Sequence, residues 1–410
     1  MPHRISFIVP TFNRAPFLGQ ALSAILAQVG AQDEVLVIDD GSTDGTAGVV
    51  EGFGPRVRYV HQENSGKSAA LNRAMEQTDG ELVWICDDDD LLLPGAVATL
   101  AAALEDPAVD FAFGRYYPFR NDPAGTMERL PFHWPDLGHG SIARHLLEDS
   151  FIMQNAALVR RSLHHAVGPF DTAMLRSLDY EMFVRLALCG RPLFVDREIF
   201  AQRKHEGARG PAAMRHAVNA SESVWLEFDR RIFRKLNGEG PISIYEAMFR
   251  GEDAGLVARA AFLQRACVNV RHGLWELAVA DIQAAAARAG ERELEPVERQ
   301  VCARMLCGKY DLANMTDKAV LAPLRSLYAG GGVAREAVLA MVAGGLWRFR
   351  RREGGDVADM LRVIAGTVGP AGIPALLGAR KKGGAGPSTV EELDELSRTL
   401  SPEELPGRPA

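Results

Sequence analysis

The sequence predicts an α/β fold: a mixed, mainly parallel sheet flanked by helices, followed by an all-α C-terminal domain. Three observations lead there. Short β-prone runs alternate with helically spaced apolar residues through the first hundred or so positions, the pattern of strand–helix–strand units. The β-prone runs end in polar, acidic or glycine-bearing loops. Beyond Gly210 the composition changes to Ala, Arg, Leu and Glu with few β-branched runs.

In chain order, Ile5-Ser-Phe-Ile-Val9 reads as a first strand, closed by the turn chemistry of Pro10-Thr-Phe-Asn-Arg14. Ala21, Leu22, Ile25 and Leu26 recur at helical spacing. Glu34–Ile38 is a second strand running into Asp39-Asp-Gly-Ser-Thr-Asp-Gly-Thr46, a mix of capping residues and glycines that leads into a helix over 47–51. Val57–His61 is a third strand. Asn64-Ser-Gly-Lys-Ser68 opens a helix over 69–77. A fourth, Leu82-Val-Trp-Ile-Cys86, runs straight into Asp87-Asp88-Asp89-Asp90. Gly66-Lys67-Ser68 lacks the earlier glycine of a Walker phosphate loop, since His61 stands in its place, and an ATPase is excluded.

Composition sets the bounds. At 410 residues, 47% apolar and 24% charged, the chain has the make-up of a globular protein of two or three domains. The net charge of -7 argues against a nucleic-acid binder. Five scattered cysteines, none at metal-binding spacing, speak against zinc and against a disulfide framework, and suit a reducing cytosol. No apolar stretch reaches membrane-spanning length, so a cytoplasmic protein is expected, either soluble or peripheral at the inner face of a membrane.

The acidic run carries the chemistry. Four adjacent carboxylates repel one another unless a cation neutralises them. Hard oxygen ligands suit Mg2+ or Mn2+, and magnesium takes one or two carboxylates together with substrate phosphates. In open α/β sheets the C-terminal strand edge is where ligands bind. A solvated acidic turn is the other reading, and at this point both stand. Helix N-termini at the same edge favour phosphate, while Asp39 and Asp40 can accept hydrogen bonds from a base or ribose or serve a plain turn.

Four segments occur in order: Ile-Val-Pro-Thr-Phe-Asn-Arg, Val-Leu-Val-Ile-Asp-Asp-Gly-Ser-Thr-Asp-Gly-Thr, Glu-Asn-Ser-Gly-Lys-Ser-Ala-Ala-Leu-Asn-Arg-Ala and Asp-Asp-Asp-Asp-Leu-Leu-Leu-Pro-Gly-Ala. Together they resemble the family 2 inverting glycosyltransferases, which have a nucleotide-sugar-binding GT-A (Rossmann-like) fold. The resemblance covers about the first half of the chain. It implies that Pro10, Thr11, Asn13, Asp39 and Asp40 line the base and ribose pocket. Asp88 matches the ribose-contacting carboxylate, Asp89 the principal metal ligand, and Asp87 the first acid of the Asp-x-Asp signature. Lys67 is a basic candidate on the donor side, whereas Arg73 reads as a solvated helix residue.

Further along, Val109–Phe119 reads as a strand, Ile142–Leu147 as a short helix and Phe151–Val159 as another strand. The intervening 121–137, with His133-Trp134-Pro135, is either an acceptor-contacting loop or a packed irregular one. Gly168-Pro-Phe-Asp171 followed by Leu178-Asp-Tyr-Glu181 is similar to the family's Gly-Gly-Phe-Asp and Glu-Asp pair, and places the general base at Asp179, with Glu181 as fallback. Leu178 stands where the family has Glu. Asp179 also suits the dipole of a helix starting there. The family-like Arg203-Lys-His205 and Gly207-Ala-Arg-Gly210 make His205 a metal or diphosphate ligand and Arg209 a donor contact on a closing loop.

The expected boundaries are a catalytic domain over 1–210, a connecting helix over 211–240, an all-helical domain over 241–380, and a linker with a mobile tail over 381–410. Helices are expected near 256–271, 275–289, 296–307 and 333–352, with a short one near 390–400. Trp347-Arg-Phe-Arg-Arg-Arg352 suits either anionic lipid headgroups or an Arg-rich helix end.

The expected activity is metal-dependent, inverting transfer of a sugar from a nucleotide-diphosphate donor, UDP-linked by preference, to an acceptor hydroxyl on a carbohydrate or lipid-linked molecule. Cell-surface polysaccharide or glycoconjugate synthesis is the expected setting, with the helical domain binding a protein partner or a second copy. Two alternatives remain. One is a non-catalytic nucleotide-sugar-binding scaffold. The other is a sugar nucleotidyltransferase, which the glycine-free first loop disfavours.

Overall fold

Residues 3–122, 125–204, 221–288, 292–306, 315–349, 357–382 and 388–406 are described by a computed structural model. The first units alternate as the periodicity predicts: β1 (Ile5–Thr11), α1 (Ala15–Leu26), β2 (Glu34–Asp39), α2 (Thr46–Glu51), β3 (Arg58–His61), α3 (Lys67–Glu76) and β4 (Leu82–Ile85). β1 pairs in parallel with β2 and β4, and β2 with β3. Successive residues of these strands face opposite sides. Phe7, Val9, Val37 and Trp84 pack toward α1, while Ile8, Leu36, Ile38 and Val83 pack on the α3 side. Burial on both faces is why the strands read as continuous apolar runs.

The second part of the sheet is antiparallel in part. β5 (Leu91–Leu92), α4 (Ala96–Ala103), β6 (Phe111–Asn121), β7 (Met127–Arg129), α5 (Ile142–Glu148), β8 (Ala157–Arg160), α6 (Arg161–Val167), α7 (Leu178–Cys189) and β9 (Pro192–Arg203) complete it. The strand order is β3-β2-β1-β4-β8-β6-β9-β5, with β7 on β6. β8 is antiparallel to both β4 and β6, and β9 returns parallel to β6. The strand expected over 151–159 starts only at Ala157, because Gln154–Ala156 forms a 3-10 turn in front of it. The sheet is therefore mixed and mostly parallel, as predicted.

The C-terminal half opens with α8 (Ser221–Glu239) and α9 (Ser243–Glu246). A short strand, β10 (Phe249–Gly251), precedes α10 (Ala254–Arg271), α11 (Trp275–Ala286), α12 (Pro296–Arg304), α13 (Lys318–Gly330), α14 (Gly332–Phe349), α15 (Val357–Thr367) and α16 (Ile373–Lys382). The chain then forms β11 (Val390–Glu392). The four expected long helices are α10, α11, α12 and α14, although residues 350–352 lie outside the described residues.

The C-terminal region is helical as predicted, with one short strand pair added, β11 antiparallel to β10. One expectation needs correction. Residues 388–406 are not a loose tail, and the short helix expected near 390–400 is absent from them. Val390, Leu400 and Leu405 are buried. Leu393 N and Ser397 N donate to Met248 O and Ala247 O, both at 2.8 Å, and Leu400 N donates to Leu188 O at 2.8 Å. Polar composition suggested mobility, whereas a few apolar anchors and backbone bonds hold the segment down.

One apolar core runs through both halves. Tyr180 of α7 packs on Phe233 of α8, whose ring stacks on His272 with centroids 3.8 Å apart. Beside it lies a buried ionic cluster. Glu148 of α5 meets Arg304 of α12 at 3.0 Å, and Arg304 reaches Glu392 of β11 at 2.8 Å. Arg144 adds a further contact to Glu392 at 3.2 Å.

Candidate functional site

Parallel pairing brings the C-terminal ends of β1, β2 and β4 to one edge, and almost every predicted donor-side residue sits there. Pro10 pairs in register with Ile38, and Thr11 with Asp39. Asn13 adopts a left-handed backbone, φ 54°, tolerable for Asn. Its N–H donates to Ser42 Oγ and its Oδ1 accepts from Thr43 N, both at 2.8 Å. Asn13 therefore clips the first loop to the second.

Asp39 and Asp40 are built into the scaffold. Asp39 accepts from Ser42 N at 2.8 Å and from the Tyr59 hydroxyl. Asp40 accepts from Gln62 Nε2 at 2.7 Å, Ser65 N at 2.9 Å and Gly66 N at 2.8 Å. It thereby shapes the loop that starts α3, where Gly66 takes φ 89°, a conformation glycine adopts without penalty. Carboxylate oxygens keep spare lone pairs, so these residues can still meet a base or ribose, but their first task here is to order the loops.

The acidic turn is divided among its members. Asp90 is structural: it accepts from Asn155 Nδ2 and from Arg203 N, each at 2.7 Å. Burial foremost, then the charges of Asp89 and Asp87, raises its carboxyl well above the ordinary range. Asn155 also accepts from Asp87 N and, through its backbone oxygen, from Trp84 Nε1 at 2.9 Å. It thus bridges the two ends of the turn.

Asp87 is paired with Lys67. Asp88 is buried, 4.0 Å from the Arg14 guanidinium. Burial, then the adjacent Asp89 charge, pushes its carboxyl up to about 7. Asp89 is half-buried, and its backbone oxygen accepts from Arg203 Nε at 2.8 Å.

Whether the turn suits a divalent cation can be judged from its donors. Among the described residues no three carboxylate, histidine or cysteine side chains form a ready-made metal centre. A run in which burial and neighbouring carboxylates raise Asp88 and Asp90 is nevertheless an oxygen-donor set short of positive charge. That is the setting in which magnesium or manganese is held by one or two carboxylates and completed by phosphate. The residues fit the ion in that sense.

Asp179 starts α7. Its Oδ1 accepts from Tyr180 N at 2.9 Å, and the preceding Ser177 is left-handed, φ 52°, with its hydroxyl donating to Asp229 at 2.9 Å. Burial raises the Asp179 carboxyl above the ordinary range, and Lys67 opposes that rise. Asp179 also lines a cavity, together with Ile85, Gln154, His164, Phe170 and Met182.

Lys67 ties the two acidic groups together. Burial alone would lower its ammonium, but Asp87, followed by Asp179 and Asp88, raises it above its usual value. The metal-type turn and the candidate base therefore share one electrostatic neighbourhood. Tyr116 borders it as well. Burial, then the nearby Asp179 and Asp90 charges, raises its phenol.

Glu181, the fallback base, is engaged elsewhere. Arg185 grips it with two bonds, Nε–Oε1 at 2.7 Å and Nη2–Oε2 at 2.6 Å, while also donating to the backbone oxygens of Val167, Gly168 and Pro169. The loop around Trp134 is packed: the indole stacks on Phe194 with centroids 5.7 Å apart and meets Phe151 edge-on. Phe132 beside it stays 44% exposed. His205 and Arg209 lie outside the described residues.

Sequence reasoning missed Arg14, Asn155 and Arg203. Arg203 reaches Asn121 at 3.0 Å and Gln20 at 2.7 Å and lies over the Phe119 ring. It is a buried staple between the acidic turn and the sheet edge. Arg14, inside the first motif, and Arg203, inside Arg203-Lys-His205, carried a local signal; Asn155 did not.

Residues 6–168 match the family model described as "Glycosyl transferase family 2". A Mycobacterium tuberculosis protein named MT1568 and described as uncharacterized is 29% identical over 55% of this chain and 76% of its own. Glycosyltransferase GlyG of Streptococcus pneumoniae is 33% identical over 29% of this chain, which spans only 41% of that relative. A crystal structure of S. aureus TarS 1-349 in complex with UDP-GlcNAc aligns over 87% of this chain and 95% of that one, with 17% identity and a TM-score of 0.49.

Proposed function

We propose, from the match of residues 6–168 to the glycosyl transferase family 2 model, that the protein transfers a sugar from a nucleotide-diphosphate donor to an acceptor hydroxyl with inversion. The observation that carries this reading is Lys67: its ammonium is paired with Asp87 and lies in the field of Asp179 and Asp88. One inverting displacement needs these groups together, a cationic side where diphosphate departs and a carboxylate where the hydroxyl arrives.

Base and ribose are assigned to the Pro10–Asn13 and Asp39–Asp40 loops with Asp88. Mg2+ or Mn2+ is assigned to Asp89 and Asp87, where it would neutralise the charge developing on the leaving diphosphate. Asp179 takes the proton of the acceptor hydroxyl, and its raised pKa makes it a better base than an exposed aspartate. Lys67 keeps Asp179 ionised and can turn from Asp87 to the diphosphate when the donor arrives. Uridine is the favoured base and a carbohydrate or lipid-linked molecule the favoured acceptor. Cell-surface polysaccharide or glycoconjugate synthesis is the favoured setting.

The test is a panel of nucleotide sugars incubated with Mn2+ and the wild-type protein or Asp179→Asn, with nucleotide release followed by chromatography and donor binding by calorimetry. The reading expects metal-dependent binding to both proteins and turnover by the wild type alone. Binding without turnover by either protein would favour a non-catalytic scaffold.

A further inference from the structure

The helical half touches the start of α7 through one serine. Ser177 directly precedes the helix, two positions ahead of Asp179, with φ 52° and ψ 23°. Among the described residues only Asn13 shares a left-handed backbone without being glycine, and asparagine tolerates that conformation better than serine does. A serine in this place ordinarily has an extended backbone and turns its hydroxyl to the N–H groups of the first turn. Ser177 makes no such cap. Its hydroxyl donates instead to Asp229 Oδ1 of α8 at 2.9 Å, 52 positions further on, and Asp229 is fully buried.

A strained backbone persists where its surroundings over-determine it, and here the surroundings belong to the C-terminal half. Phe233 of α8 packs on Tyr180 of α7 with centroids 5.6 Å apart, and Asn237 of α8 donates to Asn269 Oδ1 of α10 at 2.7 Å. The consequence falls on the first turn of α7. Tyr180 N is the N–H that a capping hydroxyl at Ser177 would take. With that hydroxyl turned to α8, Asp179 Oδ1 accepts from Tyr180 N instead, at 2.9 Å. The direction of the Asp179 carboxylate therefore depends on Ser177 staying left-handed. Glycine would take this backbone without penalty, but serine adds the hydroxyl by which α8 holds the turn.

We propose that Asp229, acting through the Ser177 hydroxyl, is a positioning residue for Asp179, so that the helical half sets the aim of the base. This role rests on Asp179 being the group that takes the acceptor proton. Misplacing a reacting group by about one ångström can cost roughly a hundredfold in rate.

The test uses the whole chain with Mn2+ and whichever of a panel of UDP- and GDP-sugars the wild type turns over fastest. Rates are taken per folded molecule, beside donor binding and thermal unfolding. Asp229→Ala should lower kcat about tenfold or more with the donor KM within about twofold of wild type. It should also displace the acid limb of the pH–rate profile, because Asp179 changes its surroundings. Asp229→Asn, which keeps an acceptor oxygen, should recover most of the loss. Ser177→Gly in the Asp229→Ala background should recover it too, since glycine holds this φ unaided. Ser177→Ala removes the hydroxyl and keeps Asp229, and it carries the expectation for Asp229→Ala if that variant does not fold. The inference is overturned if both alanine variants keep the wild-type kcat and pH profile while melting earlier, or if Ser177→Gly leaves the Asp229→Ala loss unrepaired. A wild type without turnover, or an active Asp179→Asn, removes the base and this role together. An inactive Asp179→Asn beside fully active alanine variants removes this role alone.

Discussion

Lys67, in the first turn of α3, is ion-paired with Asp87 at the mouth of β4, joining the helix that starts one loop to the acidic turn of another. Both side chains are about one-third exposed, at 38% and 32%, so solvent screens the pair and its contribution to stability is small. Lys67→Met should move the thermal midpoint by about 3 °C or less. Transfer should fall roughly a hundredfold, because the cation facing the leaving group is gone. Differential scanning fluorimetry beside a nucleotide-release assay separates the two effects.

Asp179 and Glu181 sit two positions apart with opposite fates. Asp179→Asn should lower turnover by about two to four orders of magnitude with donor binding retained. Glu181→Gln should instead cost about 2–4 kcal/mol of stability, because Arg185 is left buried without its carboxylate. Turnover per folded molecule should stay within several-fold of wild type. Because Asp179 must be ionised to accept a proton and its pKa is raised, turnover should fail on the acid side at a pH above the ordinary aspartate range. A pH–rate profile checks this.

Stability should also depend on pH through His164. Burial foremost, with the Arg185 and Arg161 charges behind it, pushes this imidazole from 6.5 down to about 3. Between those values the unfolded chain holds a proton that the native protein does not. Stability therefore rises with pH across that window and is lost as pH falls through it. The loss from pH 7 to pH 5 should be about 2 kcal/mol for this group. His164→Leu should remove that share of the slope in urea melts at the two pH values.

The ionic cluster joining the two halves gives a fourth expectation. Burial would raise Glu148, but Arg304, then Arg144 and Arg271, hold it well below the usual carboxylate range. Arg304→Met takes from Glu148 and Glu392 the nearer of the two arginines they share, Arg144 being the other. The cost should be about 3–5 kcal/mol. Since the cluster links α5, α12 and β11, circular dichroism and Trp84 fluorescence should shift together in denaturant rather than separately.

Much of the catalytic half was legible because its strands are buried on both faces and punctuated by turn residues. Asp87–Asp90 and Asp179 could be named as chemistry, but their division of labour could not. Asp90 is structural because Asn155, 65 positions later, and Arg203, 113 positions later, close on it. No local pattern announces such long-range polar contacts. Glu181 reads in the sequence as a fallback base, and only Arg185, one helical turn on, shows it to be engaged. In the C-terminal half, helical spacing marked α10, α11, α12 and α14. The segment after residue 387 misled because a strand of three residues and isolated leucines carry almost no periodic signal.

The closing segment has a consequence for synthesis. Glu395 meets Arg191 across 204 positions, and Leu400 bonds the last turn of α7, the helix with Asp179 in its first turn. During translation the Rossmann-like strands can assemble early, since their pairings are local. α7 lacks its final backbone partner until residues 388–406 have emerged from the ribosome. The helix that carries Asp179 is thus completed last, and a nascent chain should order the loops at the ends of β1 and β2 before it settles that carboxylate.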